Sequence, residues 1–170
     1  MNKIIKLIDT TTQAIGKFAG LITIVLVSLV LFDTLNRYLF TSGSIALQEL
    51  EWHLFDALFL LGIAYALKHN THVRVDLFYE HYSIRKKALI NILGLLFLVI
   101  PFSAFIFESG YTFALDSFEE GEISPNPGGL KYRFIIKSVI SISFAMVLLQ
   151  SFAELLKSIN IFRKKYEPHH

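Results

Sequence analysis

A short polar stretch between two apolar runs carries residue types that could bind a metal ion. It reads YALKHNTHVRVDLFY and covers residues 65–79. Two histidines stand three residues apart and an aspartate follows four residues later, which is a possible helical metal face: His69, His72 and Asp76. Asn70 disfavours a helix at this point, and no fourth ligand is evident beyond His81. The stretch therefore predicts a turn rather than a metal site.

The second half of this stretch, VRVDLFY, alternates in a way that suits an extended or interfacial segment. We expect His72, Arg74 and Asp76 to fix the turn, by capping or by contact with a protein partner. The alternative is that Arg74 meets lipid headgroups while the apolar residues dip into the membrane interface.

Ionisable residues also stand inside or beside the apolar runs, where each of them needs a partner or a purpose. Asp33 and Arg37 form an i, i+4 pair, and Glu49 and Asp56 share one face of the second apolar segment. Together with Lys137, they predict one polar network that ties three segments together near one membrane surface.

A proton or sodium relay is the functional alternative for these residues, because acidic groups in membrane spans often mark ion paths. A relay has to cross the bilayer. On the inner side of these residues, the apolar runs 18–32, 57–67, 88–107 and 138–153 carry no charge. A structural role is therefore the better prediction.

The composition indicates a membrane protein. The chain has 170 residues, of which 54% are hydrophobic and only 18% charged, and it contains sixteen phenylalanines and no cysteine. Soluble domains carry about a quarter charged residues. The absence of cysteine excludes disulfides and thiolate chemistry. Basic residues stand at the ends of apolar runs instead of forming a patch, so nucleic-acid binding is not predicted.

Four apolar segments can be recognised, at about 18–40, 48–67, 88–107 and 134–156. Each is long enough to span a bilayer core. They predict an all-α integral membrane protein with four transmembrane helices in a single domain, 1–170. The second segment is short, so residues 44–50 could form an interfacial helix before it. Pro101 predicts a kink in the third, and no signal-peptide cleavage pattern follows the first.

Lysine and arginine are unevenly distributed between the two sides of these spans. Most of them fall in 1–17, 68–87 and 157–170, and the other side holds Arg37, Lys131, Arg133 and Lys137. The positive-inside rule therefore predicts that both termini are cytoplasmic.

Signatures of enzymes are absent from the sequence. The PGG at 127–129 lacks the lysine and helix of a phosphate loop, and no Ser-His-acid grouping suggests a triad. His53 is the only histidine within a span, whereas a haem anchor needs a facing pair. The chain is therefore not expected to be an enzyme or to hold a cofactor.

Several blocks resemble the small membrane subunit of the tripartite ATP-independent periplasmic (TRAP) transporters. The most specific block is QELEWHLFDALFLLGIAYALKHNTHVRVDLFY, residues 48–79, in which HVRVD follows the second span. NRYLF at 36–40, PNPGGLKYRFIIKSVI at 125–140 and LLQSFAEL at 148–155 also match. The resemblance covers most of residues 20–157.

The resemblance implies a four-span scaffold subunit in the bacterial inner membrane. It implies a large multi-span partner subunit that carries substrate and sodium, and a periplasmic binding protein that delivers an organic acid. Family members import C4-dicarboxylates, keto acids or sialic acids by sodium symport. The small subunit would support the large one, help dock the binding protein and contact membrane lipid.

An acidic run between the third and fourth spans would then be the docking surface for the binding protein. It would steer a partner with basic patches. The residues concerned are Asp116, Glu119, Glu120, Glu122 and Lys131. The alternative is a solvated loop that merely stays outside the membrane.

Two other classes of protein compete with this interpretation. An autonomous four-span exporter or channel would need a midplane carboxylate, and Asp33 and Asp56 stand too far outward. A membrane anchor for a redox enzyme would need the missing histidine pair.

Overall fold

The computed structural model describes residues 2–69 and 82–163, and all regular structure in them is helical. The helices are α1 (Asn2–Phe40), α2 (Ile45–Lys68), α3 (Ile84–Gly94), a π-helical segment (Leu95–Val99), α4 (Ile100–Glu119) and α5 (Phe134–Arg163). Four continuous helical stretches are long and apolar enough to cross a membrane: Lys3–Phe40, Ile45–Lys68, Ile84–Glu119 and Phe134–Arg163. The prediction of an all-α protein with four spans is therefore confirmed.

The helices are longer than the apolar segments that predicted them. α1 has 39 residues, which is roughly 58 Å at about 1.5 Å per residue, whereas a bilayer core measures about 30 Å. Residues 2–17 and 108–119 thus extend α1 and α4 beyond the predicted spans. The predicted interfacial helix, 44–50, instead forms the first turns of α2, where the Ser44 side chain caps the N–H of Leu47.

The third span passes through Pro101 without breaking. Proline has no N–H to give to the preceding turn. The backbone here widens into the π-helical segment just before it, and the N–H of Ile100 bonds to the carbonyl of Leu95. α3, the π-helical segment and α4 therefore form one continuous helical stretch with an altered turn at its middle.

α5 lies at the centre of the bundle and packs against α1, α2, α3 and α4. Its buried face is rich in small and polar residues, including Ser143, Ser151 and Ala153. α4 presents a matching stripe to it, in which Ser103, Gly110, Ala114 and Ser117 are buried. Small side chains let helix backbones approach closely, so this pair is held by close packing.

The bundle has two ends. The terminal end is where α1 begins and α5 ends, and the loop end is where α1 ends and α5 begins. At the loop end, α4 ends at Glu119, and Gly121 follows with a φ of +61°, a left-handed conformation that glycine adopts without strain. The N–H of Glu122 bonds to the carbonyl of Ser117 and that of Gly121 to Phe118, which is a Schellman closure. The chain then enters the connecting loop, residues 120–133.

Candidate functional site

A buried carboxylate at the loop end organises the connecting loop. Glu49 stands in the second turn of α2 and is only 4% exposed. It accepts hydrogen bonds from the Ser124 hydroxyl, from Asn126 Nδ2 at 3.0 Å and from the Leu130 N–H at 2.7 Å. Burial of a carboxylate is costly without such donors. Glu49 therefore ties the connecting loop to α2.

The loop also closes on itself around this carboxylate. The Ser124 N–H bonds to the carbonyl of Leu130 at 3.0 Å, and the Gly129 N–H bonds to that of Asn126 at 3.0 Å. A Cβ atom at Gly129 would lie 2.8 Å from Glu49 Oε2. It would lie even closer to the Ser124 side chain, so only glycine leaves room here for Ser124 and the carboxylate together. The PNPGG sequence therefore suits the fold of the loop around Glu49.

A second pairing joins the connecting loop to α5. Lys137 donates to Glu122 Oε2, and its Nζ also lies 3.8 Å from the centre of the Phe113 ring. The Arg133 N–H bonds to the carbonyl of Glu122 at 3.3 Å, and its guanidinium lies 5.5 Å from the Trp52 ring. The loop is thus held by α2, α4 and α5 together.

This second pairing predicts a measurable pH dependence. The hydrogen bond from Lys137 holds the pKa of the Glu122 carboxyl below its usual 4.5. Because a lowered pKa stabilises the ionised form, the contribution to stability is complete above pH 4.5 and is lost as the pH falls through the lowered pKa. We expect the chain to melt at a higher temperature than Glu122→Gln near neutral pH, and this difference to shrink in acid. Glu120→Gln, at an exposed position, is the control and should show no such trend.

The Asp33 carboxylate, near the end of α1, is completely buried, and its Oδ2 pairs with Arg37 one turn later. Its Oδ1 has no hydrogen-bond partner among residues 2–69 and 82–163. Arg37 is half exposed. The pair therefore lies within α1 itself and joins no second helix through these atoms.

Arg37→Ala should destabilise the chain by roughly 1–3 kcal/mol, because it leaves Asp33 buried without its counter-charge. Subunit assembly should weaken with it. The double variant with Asp33→Ala should recover part of this loss, as thermal unfolding in detergent would show. A double variant no more stable than Arg37→Ala would mean that the pairing does not account for the effect.

The predicted single network is thus found as separate groups. Asp33 pairs with Arg37, Glu49 bonds to the connecting loop, and Lys137 pairs with Glu122. Asp56 is half-buried and forms no hydrogen bond or ion pair with the described residues. The groups are separate because each of the other predicted charges is bonded by a residue of the connecting loop or by a neighbour on its own helix, and not by a charge on another helix.

The remaining predicted residues divide between the described and undescribed parts of the chain. The turn residues His72, Arg74 and Asp76 lie outside the described residues, and their role stays a prediction. Asp116 and Glu119 lie on the last turns of α4, whereas Glu120, Glu122 and Lys131 lie in the connecting loop. All except the half-buried Glu122 are exposed.

A second polar cluster, at the terminal end, was not predicted from the sequence. Gln150 of α5 is completely buried and accepts a hydrogen bond from Thr12 Oγ1 at 2.7 Å. Its Nε2 donates to Asp9 at 3.0 Å and to Glu154 at 2.8 Å. Lys157 donates to the same two carboxylates at 2.8 and 2.7 Å. We call these five residues the polar clasp, since they join α1 to α5.

The end of α2 joins the same region. Lys68 Nζ donates to the carbonyl of Asp9 at 2.8 Å and to Gln13 Oε1 at 2.7 Å. His69 Nε2 lies 3.1 Å from Gln13 Oε1. His69, the first histidine of the polar stretch 65–79, thus contacts a side-chain amide oxygen on α1.

These clusters are suited to holding helices and a loop in place. Their polar atoms bond mainly to one another. Within residues 2–69 and 82–163, no group of three or more histidines and acids is arranged to hold a metal ion. The geometry indicates a positioning role for both clusters.

Comparison of the sequence with known protein families identifies the family of the chain. The family model for the DctQ component of tripartite ATP-independent periplasmic transporters matches residues 26–160, which include α2 to α4, most of α5 and the last part of α1. No match was found among curated proteins. The match covers most of the chain and agrees with the blocks that carried the resemblance. The chain therefore belongs to the DctQ family, the small membrane components of the TRAP transporters.

Proposed function

We propose that the chain is the scaffold subunit that holds a large transport subunit and helps to dock a periplasmic binding protein. The observation that carries this proposal is the middle layer of the four spans. Residues 18–32, 57–67, 88–107 and 138–153 contain no acid, lysine, arginine or histidine. A carrier acting alone on charged substrates needs ionisable groups near the midplane. In this proposal sodium and the organic acid are therefore bound by the large subunit.

The apolar surface of the bundle supports the scaffold role. Large side chains on α1 and α4 are exposed, among them Ile24, Phe32, Phe102 and Phe105. Lipid covers part of such a surface in any membrane protein, and a large subunit would cover the rest. The transported solute is proposed to be an organic acid, such as a C4-dicarboxylate, a keto acid or a sialic acid. The chain would lie in the bacterial inner membrane with both termini cytoplasmic, as its lysine and arginine distribution favours.

The connecting loop would face the binding protein in this orientation. Exposed carboxylates at Asp116, Glu119 and Glu120 border a loop that Glu49 holds in one conformation. Fixed charges steer association with a partner that carries basic patches. Glu122 is a poorer candidate for contact with the binding protein than its neighbours, because its carboxylate is already paired with Lys137.

Removing the free charges should slow docking. We expect Glu119→Gln with Glu120→Gln to lower the association rate of the binding protein by about three- to tenfold at low salt, and less at high salt. Surface plasmon resonance on the reconstituted complex would measure the rate. Lys131→Gln is the matched control, because it removes the opposite charge from the same loop and should not slow association. An unchanged rate in the double variant would contradict the docking proposal.

Co-expression with a candidate large subunit tests the scaffold role itself. The two chains should purify together in mild detergent at fixed stoichiometry. Sodium-driven uptake of an organic acid into proteoliposomes should then require this chain. A chain that purifies alone as a stable oligomer and moves ions or drugs by itself would instead be an autonomous exporter or channel.

A further inference from the structure

An open groove at the terminal end is lined by lysines that the polar clasp leaves largely unneutralised. The groove has a volume of about 790 Å³ and runs between α1 and the ends of α2 and α5. This volume falls in the range of about 300–1,000 Å³ that is common for small-molecule sites. Its lysines are Lys6 and Lys17 from α1, Lys68 from α2 and Lys157 from α5.

The charge of this groove is strongly positive. Asp9 is the one carboxylate among its lining residues, and Lys157 is already paired with it. Lys68 is bonded to neutral oxygens only, at the carbonyl of Asp9 and at Gln13. Lys6 and Lys17 are exposed and form no ion pair with any described residue. Lys6 and Lys17 thus face the groove without an ion-pair partner in residues 2–69 and 82–163, and Lys68 shares the single Asp9 carboxylate with Lys157.

The position of the groove places two of these lysines at the membrane surface. Lys17 is the last residue before the apolar run of α1, and Lys68 is the first after that of α2. An apolar track continues from the groove towards the bilayer. Leu21 and Ile24 follow Lys17 by four and seven residues, which puts them on the same helix face, and they are 55% and 65% exposed. Ile161 adds an exposed apolar residue to the wall of the groove itself.

We propose that this groove binds an anionic phospholipid. Its phosphate would bond to Lys17 and Lys68, and its acyl chains would lie along Leu21 and Ile24. Lys6 lies roughly 16 Å from Lys17 along α1, at about 1.5 Å per residue, and would add attraction for the anionic headgroup without touching the phosphate. A free phosphate or a soluble anion would satisfy the lysines and leave the apolar track unused, which favours the lipid as the source of the phosphate. Basic pockets between transmembrane helices are a recurrent type of lipid headgroup site. The proposal is independent of the transport role.

The test is native mass spectrometry of the full chain in detergent, titrated with dioleoyl phosphatidylglycerol or dioleoyl phosphatidylcholine. We expect one phosphatidylglycerol per chain to bind at least about tenfold more tightly than phosphatidylcholine. Lys6→Gln with Lys17→Gln should weaken this binding by roughly ten- to thirtyfold, because each lysine near a headgroup contributes a few-fold. Both side chains are exposed, so the variant should keep its fold.

Arg85→Gln with Lys86→Gln is the matched control, because it removes two exposed positive charges on α3, at the same end of the bundle but outside the groove. It should leave phosphatidylglycerol binding within about twofold of the unmodified chain. Equal losses in both variants, or equal binding of the two lipids, would overturn the site.

Displacement of phosphatidylglycerol by millimolar glycerol phosphate would identify a site for free phosphate instead. The groove would instead be a contact for the large subunit under two conditions. Lipid would no longer bind once that subunit is present, and the Lys6→Gln, Lys17→Gln variant would no longer bind the subunit.

Discussion

Gln150→Ala is expected to lower the melting temperature of the purified chain by roughly 6–12 °C, which corresponds to about 3 kcal/mol for a protein of this size. Gln150 is completely buried and joins Thr12 and Asp9 of α1 to Glu154 of its own helix. Alanine removes all three hydrogen bonds and leaves their partners facing a small cavity. Thermal unfolding in detergent, followed by circular dichroism, measures the loss.

Two further variants distinguish the polar clasp from a general effect of removing glutamine. Gln48→Ala changes an exposed glutamine on α2 and should shift the melting temperature by no more than about 2 °C. Thr12→Val removes the hydrogen bond that Thr12 donates to Gln150, and Gln150→Leu removes the same bond from the other side. The loss of stability in the double variant should therefore be smaller than the sum of the two single losses. Additive effects in that double-mutant cycle would mean that the bond contributes nothing to the attachment of α1.

The clasp could not be predicted from the sequence because its members are far apart and its central pair is neutral. Thr12 and Gln150 are separated by 138 residues, and neither carries a charge that stands out in an apolar run. By contrast, Asp33 and Arg37 are four residues apart, and their pairing follows from helix geometry alone. Local pairs were therefore accessible to sequence reasoning, and contacts between distant helices were not.

Glu49 shows which part of a site the sequence makes visible. It stands out as an acid at the start of the second span, and its burial agrees with a structural role. Its partners are hydroxyl, amide and backbone N–H groups of the connecting loop, whereas the prediction looked for charges on other helices. A more useful signal was the PNPGG sequence, since a loop that turns tightly leaves backbone donors in need of an acceptor.

The spans were predictable and the helix ends were not. Hydropathy locates the residues that prefer lipid, and the four apolar segments fall inside the observed helices. Charged residues end an apolar segment without ending a helix. α1 therefore continues back to Asn2 through Lys17 and Lys6, and α4 continues to Glu119 through Glu108 and Asp116. These extensions position both polar clusters.

Glu49→Ala is expected to release the connecting loop while leaving the four helices in place. The carboxylate is the common acceptor for Ser124, Asn126 and Leu130, so its removal leaves three donors without their partner. We expect amide hydrogen exchange at Leu130 to accelerate by roughly one to two orders of magnitude, with exchange in the middle of α5 unchanged. Docking of the binding protein should weaken as well, because a mobile loop must be ordered again on binding.

Two matched variants make this expectation specific to the carboxylate. Glu49→Gln keeps the size of the side chain but turns an NH₂ group towards either the Leu130 N–H or the Asn126 amide, so it should release the loop partly. Glu51→Gln changes the neighbouring acid of α2, which forms no hydrogen bond to the connecting loop, and should leave exchange at Leu130 unchanged. If Glu49→Ala and Glu51→Gln gave the same exchange rate at Leu130, the loop would be held by its own turns and by the Glu122–Lys137 pair. Glu49 would then serve the packing of α2 alone.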